Sequence, residues 1–357
     1  MANVLLAGYF GSGNLGDDAI LAGFCNNLGP GFDITVMSGA PEETYRHFGF
    51  RAIPRKDSKA FDEALSKADA LIFPGGSIFQ DVTSVRSVGY YSQIVRKAKK
   101  ARKRVYLLAQ GVGPLNRFLG KRMAASAFEM ADVVTVRDPG SASALRAMGI
   151  KGDIKVTADP AFLLSPGAET DSAGFSVGNM TTVGIAPRPY AKDKKAVQKV
   201  FGDLAKLLFQ NNFLPVLLEM DRNEDGQLIV DISKAQGGKI PDIRRLQLPQ
   251  QMQRRMSRMH AVVGMRLHAG ILAASVGVPP FMVSYDPKVA AFSKMMELPH
   301  ATMEGLTGQR LFELFMSFQR DRERMLKIVE AKRNEMADLA RQNISIVRES
   351  LAPSGRA

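Results

Sequence analysis

Residues 264–289, GMRLHAGILAASVGVPPFMVSYDPKV, place Arg266, His268 and Lys288 in a stretch that otherwise avoids water. Burying unpaired charge is costly, so three cationic or protonatable groups in this setting predict an anionic ligand. Arginine offers a fork for carboxylate or phosphate, lysine a point charge, and histidine a proton that exchanges near neutral pH. One alternative stays open for His268, whose imidazole could be satisfied by backbone groups in a purely structural role.

A glycine-rich turn near the N-terminus, GYFGSGNLGDDAI, matches the G-x-G-x-x-G pattern of dinucleotide sites. That pattern requires an acidic residue at the end of the second strand, and DITVMSG has only Asp33, at its start. Asp17 and Asp18 would also place negative charge where a pyrophosphate binds. A turn whose Asn14 and Asp17 bind a neutral hydroxylated ligand fits better, and helix capping by either aspartate is the structural alternative.

Two further motifs follow apolar runs in the first half of the chain. IFPGGSIFQD has a glycine pair that allows a ligand to approach the backbone, with Asp81 shortly after it, although such pairs are often only turns. VTVRDPG places Arg137 at the end of a strand-like run. Arg137 is a candidate anion ligand, and a salt bridge to Asp138 or Asp132 is its structural alternative.

The second half repeats this arrangement. Arg188 follows the run TTVGIA and lies between two prolines in GIAPRPY. LLEMDRNEDG offers Asp221, for which a solvated acidic loop is the preferred interpretation. The sequence has no G-x-S-x-G nucleophile, no Walker lysine and no zinc or EF-hand pattern, so neither a metal nor a cofactor is expected.

The elements that must position these residues form two series. Short apolar, β-branched runs alternate with amphipathic stretches, which predicts an α/β fold with parallel sheets and helices on both faces. Ligands of such sheets bind beyond the carboxyl ends of the strands, where all the motifs above lie. We expect two Rossmann-like domains, residues 1–165 on the acceptor side and 180–306 carrying the RLH and SYDPK motifs. A linker at 165–179 joins them, and helices at 307–357 follow, packing back on the first domain.

Composition narrows the class of protein. The 357 residues are enough for two cores, and the single cysteine, Cys25, excludes an intrachain disulfide. No run is long and apolar enough for a membrane span, and a cytoplasmic location is expected. The net charge of +13 admits nucleic acid, an anionic membrane face or a multiply charged substrate. The densest basic run, RKAKKARKR, reads as a solvated helix face, and without stacking aromatics or a zinc knuckle a nucleic-acid partner is not expected.

Taken together and in this order, six motifs resemble the polysaccharide pyruvyl transferase family: GYFGSGNLGDDAIL, GGSIFQD, QGVGP, VRDPGS, ADPAF and GMRLHAGILAASVGVPP with SYDPKV. The resemblance spans Gly8 to about Val289. It is strongest to the bacterial branch that pyruvylates cell-wall polysaccharide, the modification that anchors surface-layer proteins. The chain departs from the family at Ser77, where a third glycine is common.

The resemblance implies a GT-B-like fold, with the two Rossmann-like domains facing across a cleft, and transfer of the enolpyruvyl unit of phosphoenolpyruvate onto two hydroxyls of one sugar. The products would be a cyclic ketal and phosphate. The donor carries about three negative charges, which suits arginine forks. The residues that would bind this donor are Arg137, Arg266, Leu267, His268 and Lys288. Three of them would also be catalytic: His268 as general acid or base, Arg137 by holding the anionic donor, and Lys288 by stabilising charge on the departing oxygen.

On the acceptor side, the neutral and acidic groups Asn14, Asp17 and Asp81 would contact the sugar. Acceptors of this family are often linked to lipids, so peripheral contact with an anionic inner membrane face is expected, without insertion. Two other classes stay open: a GT-B glycosyltransferase that uses a nucleotide sugar, and a non-catalytic basic protein that binds nucleic acid or membrane. The acceptor sugar, the ketal stereochemistry and the oligomeric state are not specified by the sequence.

Overall fold

The structure, a computed structural model, describes residues 1–82, 84–167, 179–190 and 193–351. The chain divides into two compact units. The first contains residues 1–12, 17–164 and 336–357, and the second contains residues 13–16 and 165–335. The predicted linker at 165–179 falls mostly outside the described residues.

The first unit is built on a parallel sheet of eight strands, in the order β3-β2-β1-β4-β6-β7-β8, with β5 paired to β6. Its strands are β1 (Ala2–Leu6), β2 (Phe32–Ser38), β3 (Arg51–Pro54), β4 (Ala70–Phe73), β5 (Gly76–Phe79), β6 (Arg104–Val112), β7 (Val133–Val136) and β8 (Lys155–Val156). Its helices are α1 (Leu15–Leu28), α2 (Pro41–Phe48), α3 (Ser58–Lys67), α4 (Val85–Lys100), α5 (Phe118–Met130) and α6 (Pro139–Ala147), followed by a 3₁₀ helix at Pro160–Leu163.

The second unit has a six-stranded parallel sheet in the order β11-β10-β9-β12-β13-β14. Its strands are β9 (Thr181–Ala186), β10 (Phe213–Leu218), β11 (Asp242–Ile243), β12 (Ala261–Gly264), β13 (Pro280–Ser284) and β14 (His300–Thr302). Its helices are α7 (Lys194–Gln210), α8 (Gly226–Ala235), α9 (Pro249–Met256), α10 (Leu267–Ser275), α11 (Pro287–Met295) and α12 (Gly308–Arg320). The last helix, α13 (Arg322–Leu351), begins in this unit and ends in the first.

The alternation in the sequence produces both sheets because the central strands are apolar on both faces, as buried parallel strands must be. All residues of β4, β12 and β13 are buried, and all of β6 except Arg104. Helix starts are fixed by aspartate caps, for example Asp138 on α6 and Asp286 on α11, each followed by proline at the first helical position. The predicted α/β architecture of two doubly wound sheets is therefore confirmed.

Three expectations about local structure can be compared directly with the fold. The helical pattern of the tail is confirmed by α12 and α13. The basic run ends α4 as a solvated face, with Arg96 and Lys100 exposed, so that prediction is also confirmed. The third expectation is that IKVTADPAF, one of the short apolar runs of the first series, forms a strand; it forms only the two-residue β8, and Asp159 then accepts a hydrogen bond from the amide of Ala161 at the start of the 3₁₀ helix.

Candidate functional site at the edge of the second sheet

Polar residues follow four neighbouring strands of the second unit at their carboxyl ends. The strands β10, β9, β12 and β13 lie side by side and run parallel. Because they share a direction, the segments that leave them lie at one edge of the sheet. These segments contain Asp221 to Asp225 after β10, Arg188 after β9, Arg266 to His268 after β12, and Asp286 to Lys288 after β13.

Arg266 is held by a set of carboxylates. It caps α10, and only 8% of its surface is exposed. Its Nε donates to Asp225 at 3.1 Å, and its Nη2 donates to Asp225 and, at 2.8 Å, to Glu224. Its Nη1 lies 3.9 Å from Asp221. Burial tends to lower the pKa of Arg266, but the three carboxylates outweigh it and the pKa is raised, so the guanidinium stays charged.

Asp221 and Asp225 are buried at the two ends of the acidic loop after β10, whereas Arg222, Asn223 and Glu224 between them are exposed, so the interpretation of a solvated position is wrong for Asp221. Asp221 is 5% exposed and Asp225 is fully buried. Asp225 also accepts hydrogen bonds from the amides of Met220 and Asp221, so it fixes the loop as well as the arginine. Burial raises the pKa of both carboxyl groups, and the nearby Arg266 opposes that rise. Asp221 and Asp225 are buried counterions of Arg266, a pairing that the local sequence does not reveal.

Glu224 links Arg266 to a second arginine. Its carboxylate accepts from Arg266 and lies 3.5 Å from Nη2 of Arg188. Arg188 also donates to the hydroxyl of Tyr285 and lies 5.2 Å from the centre of that ring. The Glu224 side chain is 45% exposed, in contrast to the buried Asp225. Two guanidinium groups therefore share one exposed carboxylate.

His268 and Lys288 occupy equivalent places on neighbouring helices, the second residues of α10 and α11. The imidazole of His268 packs on Gly16, where an added Cβ would lie 2.1 Å from Nδ1, so only glycine leaves room for this ring. Lys288 Nζ lies 3.6 Å from Asp286, whose carboxylate also accepts from the Lys288 amide. The structure thus brings Arg266, Leu267, His268 and Lys288 to one sheet edge, while their chemical roles stay predictions.

The glycine-rich turn contributes Asn14 to the same unit. Asn14 Nδ2 donates to Asp221 at 3.2 Å, and Oδ1 accepts from the amide of Gly16 at 2.9 Å. Asn14 therefore connects to Arg266 through Asp221, and Gly16, two residues later, packs against the imidazole of His268. Asp17 lies in the first turn of α1. In the first unit, Asp18 accepts from the amide of Gly11 at 2.9 Å and so fixes the turn before α1, while the side chain that accepts from an amide at the start of the helix is that of Asn14.

Arg137 belongs to the first unit, where it ties three motifs together. It is 6% exposed, its Nη1 donates to Asp159 at 2.8 Å, and its Nη2 donates to Ser77 at 2.7 Å. An added Cβ on Gly111 would lie 2.8 Å from Nη2, so this glycine of QGVGP makes room for the guanidinium. Arg137 does form a structural ion pair, but it pairs with Asp159 and not with Asp138 or Asp132. Of the partners expected from sequence, Asp138 caps α6 and Asp132 pairs with Lys99.

Asp81 serves the backbone of its own unit. Its two carboxylate oxygens accept from the amides of Asn116 at 2.8 Å and Arg117 at 2.7 Å. It is 3% exposed. Both oxygens are thus occupied at the start of α5, and nothing in this geometry supports the predicted contact of Asp81 with the acceptor.

Sequence reasoning missed Glu224, Asp225 and Tyr285, and gave Arg188 no role. Their common signal is position, since each lies within a few residues of a strand end in the second sheet. Among the described residues, no group of three or more histidine, cysteine or acidic side chains is arranged to hold a metal ion. In the same part of the chain, none of the helices combines the length and the apolar character that crossing a membrane requires.

Comparison with solved structures identifies the fold. The chain superimposes on the UDP-GlcNAc 2-epimerase of Neisseria meningitidis bound to UDP-GlcNAc, with TM-score 0.62, 13% identity, and coverage of 98% of this chain and 100% of the other. A putative UDP-N-acetylglucosamine 2-epimerase from Listeria monocytogenes gives TM-score 0.67, 13% identity and coverage of 100% and 98%. MurG of Acinetobacter baumannii gives TM-score 0.53 and 12% identity, with coverage of 98% of this chain and 100% of the other. These likenesses show the two-domain GT-B fold.

Comparison of the sequence alone identifies the family. No curated protein sequence matches the chain significantly. The sequence model for polysaccharide pyruvyl transferases matches residues 14–287, a segment that begins at Asn14 and ends just before Lys288. It therefore includes the glycine turn, the Arg137 motif, the acidic loop and the RLH segment. The chain belongs to the polysaccharide pyruvyl transferase family and is a transferase with a GT-B fold.

Proposed function

We propose that this transferase moves the enolpyruvyl unit of phosphoenolpyruvate onto two hydroxyls of one sugar in a cell-wall or surface polysaccharide precursor. The products would be a cyclic pyruvate ketal and phosphate. One observation carries the donor assignment: the exposed carboxylate of Glu224 lies between the guanidinium groups of Arg188 and Arg266. A carboxylate or phosphate of the donor has the same hydrogen-bonding chemistry and would take the same place.

The charges at the sheet edge support displacement of Glu224 in particular. Asp225 is fully buried and binds Arg266 through Nε and Nη2, which fixes the orientation of the guanidinium. Expelling Asp225 would leave a buried charge without a partner. Glu224 can move into solvent at little cost because its side chain is already about half exposed. Binding of phosphoenolpyruvate therefore replaces one anion by another, and Arg266 remains in place.

The proposed chemistry moves two protons. The methylene carbon of the donor takes up a proton and becomes a methyl group, a sugar hydroxyl oxygen bonds to the neighbouring carbon, and its own proton is released. The bond from that carbon to the phosphate oxygen then breaks, and a second sugar hydroxyl closes the ketal and gives up its proton. One of the two released protons balances the methyl group and the other leaves on phosphate.

His268 and Lys288 take the roles that this sequence of steps requires. His268 is the general acid or base, and Lys288 stabilises the charge that develops on the bridging oxygen. Asp221 is a second group able to hold a proton, because burial raises the pKa of its carboxyl. Its hydrogen bond to Asn14 connects it to the proposed acceptor ligands Asn14 and Asp17. Side chains and the two substrates supply every group in this scheme.

Further parts of the proposal concern partners and location. The acceptor would be a glycan precursor linked to a lipid, and surface-layer anchoring would be the use of the ketal. The enzyme would work in the cytoplasm at the inner face of the membrane. Arg137 would also contribute to donor binding, in addition to its ion pair with Asp159.

Phosphate release from phosphoenolpyruvate in the presence of cell-wall glycan precursors tests the proposal. Wild type should release phosphate and form acid-labile pyruvate, and His268→Ala should lose at least about a hundredfold in rate. The exposed His300 provides the matched control, His300→Ala, which should keep the wild-type rate. A wild-type rate in His268→Ala would refute its role. Stabilisation by UDP-sugars, but not by phosphoenolpyruvate, in thermal unfolding would favour a glycosyltransferase instead.

Arginine variants need charge-matched partners in the same assay. Arg137→Ala alone removes the cation that pairs with the buried Asp159, which we expect to cost about 3–5 kcal/mol of stability. The double variant Arg137→Ala/Asp159→Asn removes both charges, so a change in its rate of phosphate release reports on activity and not on a loss of stability. If this folded double variant released phosphate at the wild-type rate, Arg137 would have no role in the reaction.

A further inference from the structure

The start of α5 exposes two large apolar side chains next to each other. Phe118 is 75% exposed and Leu119 is 59% exposed, and they are the first two residues of the helix. The other face of α5 is buried through Gly120, Ala124, Ala127 and Phe128. The two exposed side chains are therefore not part of the packing that holds the helix in the first unit.

A third exposed apolar residue belongs to the same surface. Val82 is 63% exposed and directly follows Asp81. Since Asp81 accepts hydrogen bonds from the amides of Asn116 and Arg117, the backbone at Val82 is held beside the start of α5. We call Val82, Phe118 and Leu119 the apolar tip. Exposed apolar residues that cluster and have charged neighbours mark interaction sites more often than scattered ones.

The lysines and arginines closest to the apolar tip in the chain are not matched by acids of the same segment. Residues 82–128 contain no aspartate or glutamate and have eleven lysines and arginines. Seven of them, at 96–104, lie at the end of α4 and the start of β6, and the other four lie at the starts of α4 and α5: Arg86, Arg117, Lys121 and Arg122. Two of the seven are neutralised by acids from elsewhere, since Lys97 pairs with Asp62 and Lys99 pairs with Asp132.

The lysine and arginine side chains nearest to the apolar tip are exposed and are available to bind an anionic partner. Arg117, Lys121 and Arg122 are exposed, and none of them is in an ion pair within the described part of the chain. The guanidinium carbon of Arg122 lies 5.8 Å from the centre of the Phe118 ring. Arg117 thus precedes the two apolar residues, and Lys121 and Arg122 follow them one turn later, which is the chemistry of a surface that meets phosphate headgroups and acyl chains together.

We propose that the apolar tip and its flanking cations dock the protein on a bilayer that contains anionic phospholipid. Phe118 and Leu119 enter the boundary between headgroups and acyl chains, while Arg117, Lys121 and Arg122 bind lipid phosphates. Nucleic acid is a poorer match because aliphatic side chains such as Leu119 and Val82 do not stack on bases. This docking does not depend on the pyruvyl transfer proposed above and would persist in an inactive enzyme.

Co-sedimentation of the full chain with lipid vesicles tests the docking surface. Wild type should bind vesicles that contain phosphatidylglycerol and should bind pure phosphatidylcholine far less. Phe118→Ser/Leu119→Ser should weaken binding by at least about tenfold, and Lys121→Glu/Arg122→Glu by a similar factor that shrinks in high salt. Each variant is first checked for a native circular dichroism spectrum and melting temperature.

Matched controls separate the tip from general charge and hydrophobicity. Phe209→Ser removes another exposed phenyl ring, which is 59% exposed on α7, and Arg324→Glu/Lys327→Glu makes the same charge change on exposed positions of α13. Both should bind vesicles within about twofold of wild type. Equal losses in the controls and the tip variants would overturn the proposal. So would unchanged binding of Phe118→Ser/Leu119→Ser, or binding to DNA as tight as to vesicles at the same salt concentration.

Discussion

Glu224 is the side chain at the candidate site that a ligand could replace most easily, because it bridges two arginines and is itself exposed. It is the exposed member of a carboxylate set whose other members, Asp221 and Asp225, are buried. Its two partners, Arg188 and Arg266, follow different strands of the same sheet, β9 and β12. In the donor site proposed above, Glu224 competes with the donor for two arginines and weakens donor binding, because its displacement costs part of the binding free energy.

Replacement of Glu224 by glutamine should therefore tighten donor binding. Glu224→Gln keeps the shape but removes the charge, and we expect the Kd for phosphoenolpyruvate to fall by roughly three- to tenfold in titration calorimetry. Glu304, an exposed glutamate of the same unit, provides the control Glu304→Gln, which should not change the Kd. Equal or weaker binding by Glu224→Gln would contradict the assignment of the donor site.

A methyl group at residue 16 should disturb His268 without unfolding the protein. The Cβ of Gly16→Ala would lie 2.1 Å from Nδ1 and 2.7 Å from Cβ of His268, so the imidazole must move. Displacement of a catalytic group by about 1 Å can cost about a hundredfold in rate. We expect kcat for phosphate release to fall by about that factor, with only a small change in melting temperature. Gly152→Ala, which meets no atom within 4 Å, is the control that should leave kcat unchanged.

The residue types of the candidate site could be anticipated from sequence, but its ion pairs could not. Arg266, His268 and Lys288 stand out because charged groups follow apolar runs. The pairing of Arg266 with Asp225 joins residues separated by 41 positions, and that of Arg137 with Asp159 joins residues separated by 22. Such contacts depend on the order of strands in the sheet, which the local pattern does not specify.

At the scale of elements, long apolar runs predict strands well and short ones do not. β6 and β10 follow from their buried runs, whereas β3, β11 and β14 have two to four residues and lie at or next to sheet edges. Their pairing with neighbouring strands, more than their composition, makes them strands. The helices at the C-terminus are predictable from periodicity, but the buried polar contacts of α13 are not.

One of these contacts is made by Asn343, which we expect to stabilise the first unit. Asn343 is fully buried on α13, accepts from the hydroxyls of Thr135 and Thr157, and donates to the carbonyl of Ala158. Asn343→Ala leaves these groups without that partner and should lower the free energy of unfolding by about 2–4 kcal/mol in urea titrations. Ser345→Ala, at an exposed position two residues further, should have an effect within about 0.5 kcal/mol. Similar stability of both variants would show that α13 is not fixed through Asn343.

The hydrogen bond between His260, which directly precedes β12, and Gln319 of α12 should respond to pH. Burial and the charge of Arg322 lower the pKa of His260, against its hydrogen bond to Gln319 on α12. Because the unfolded state binds a proton near pH 6.5 and the folded state resists it, stability is full above that pH and is lost as the pH falls below it. Urea midpoints measured between pH 7.5 and pH 5 should fall less in His260→Gln than in wild type. The exposed His300→Gln should follow wild type, and an identical slope for His260→Gln would contradict this account.

At the scale of the whole molecule, the fold alone does not select the reaction. The GT-B fold is shared with epimerases and MurG at only 12–13% identity, and a fold of this kind hosts many chemistries. Family membership across residues 14–287 narrows the activity to pyruvyl transfer onto polysaccharide. The identity of the donor then depends on the chemistry of one sheet edge, where a carboxylate bridges two arginines beside a histidine and a lysine.

A crystal of the protein soaked with phosphoenolpyruvate tests that central claim most directly. We predict that the carboxylate or phosphate of the donor binds Arg188 and Arg266, that Glu224 moves away from both, and that Asp225 keeps its hydrogen bonds to Arg266. Donor bound elsewhere, or Glu224 still bridging the two arginines with the donor present, would contradict the account.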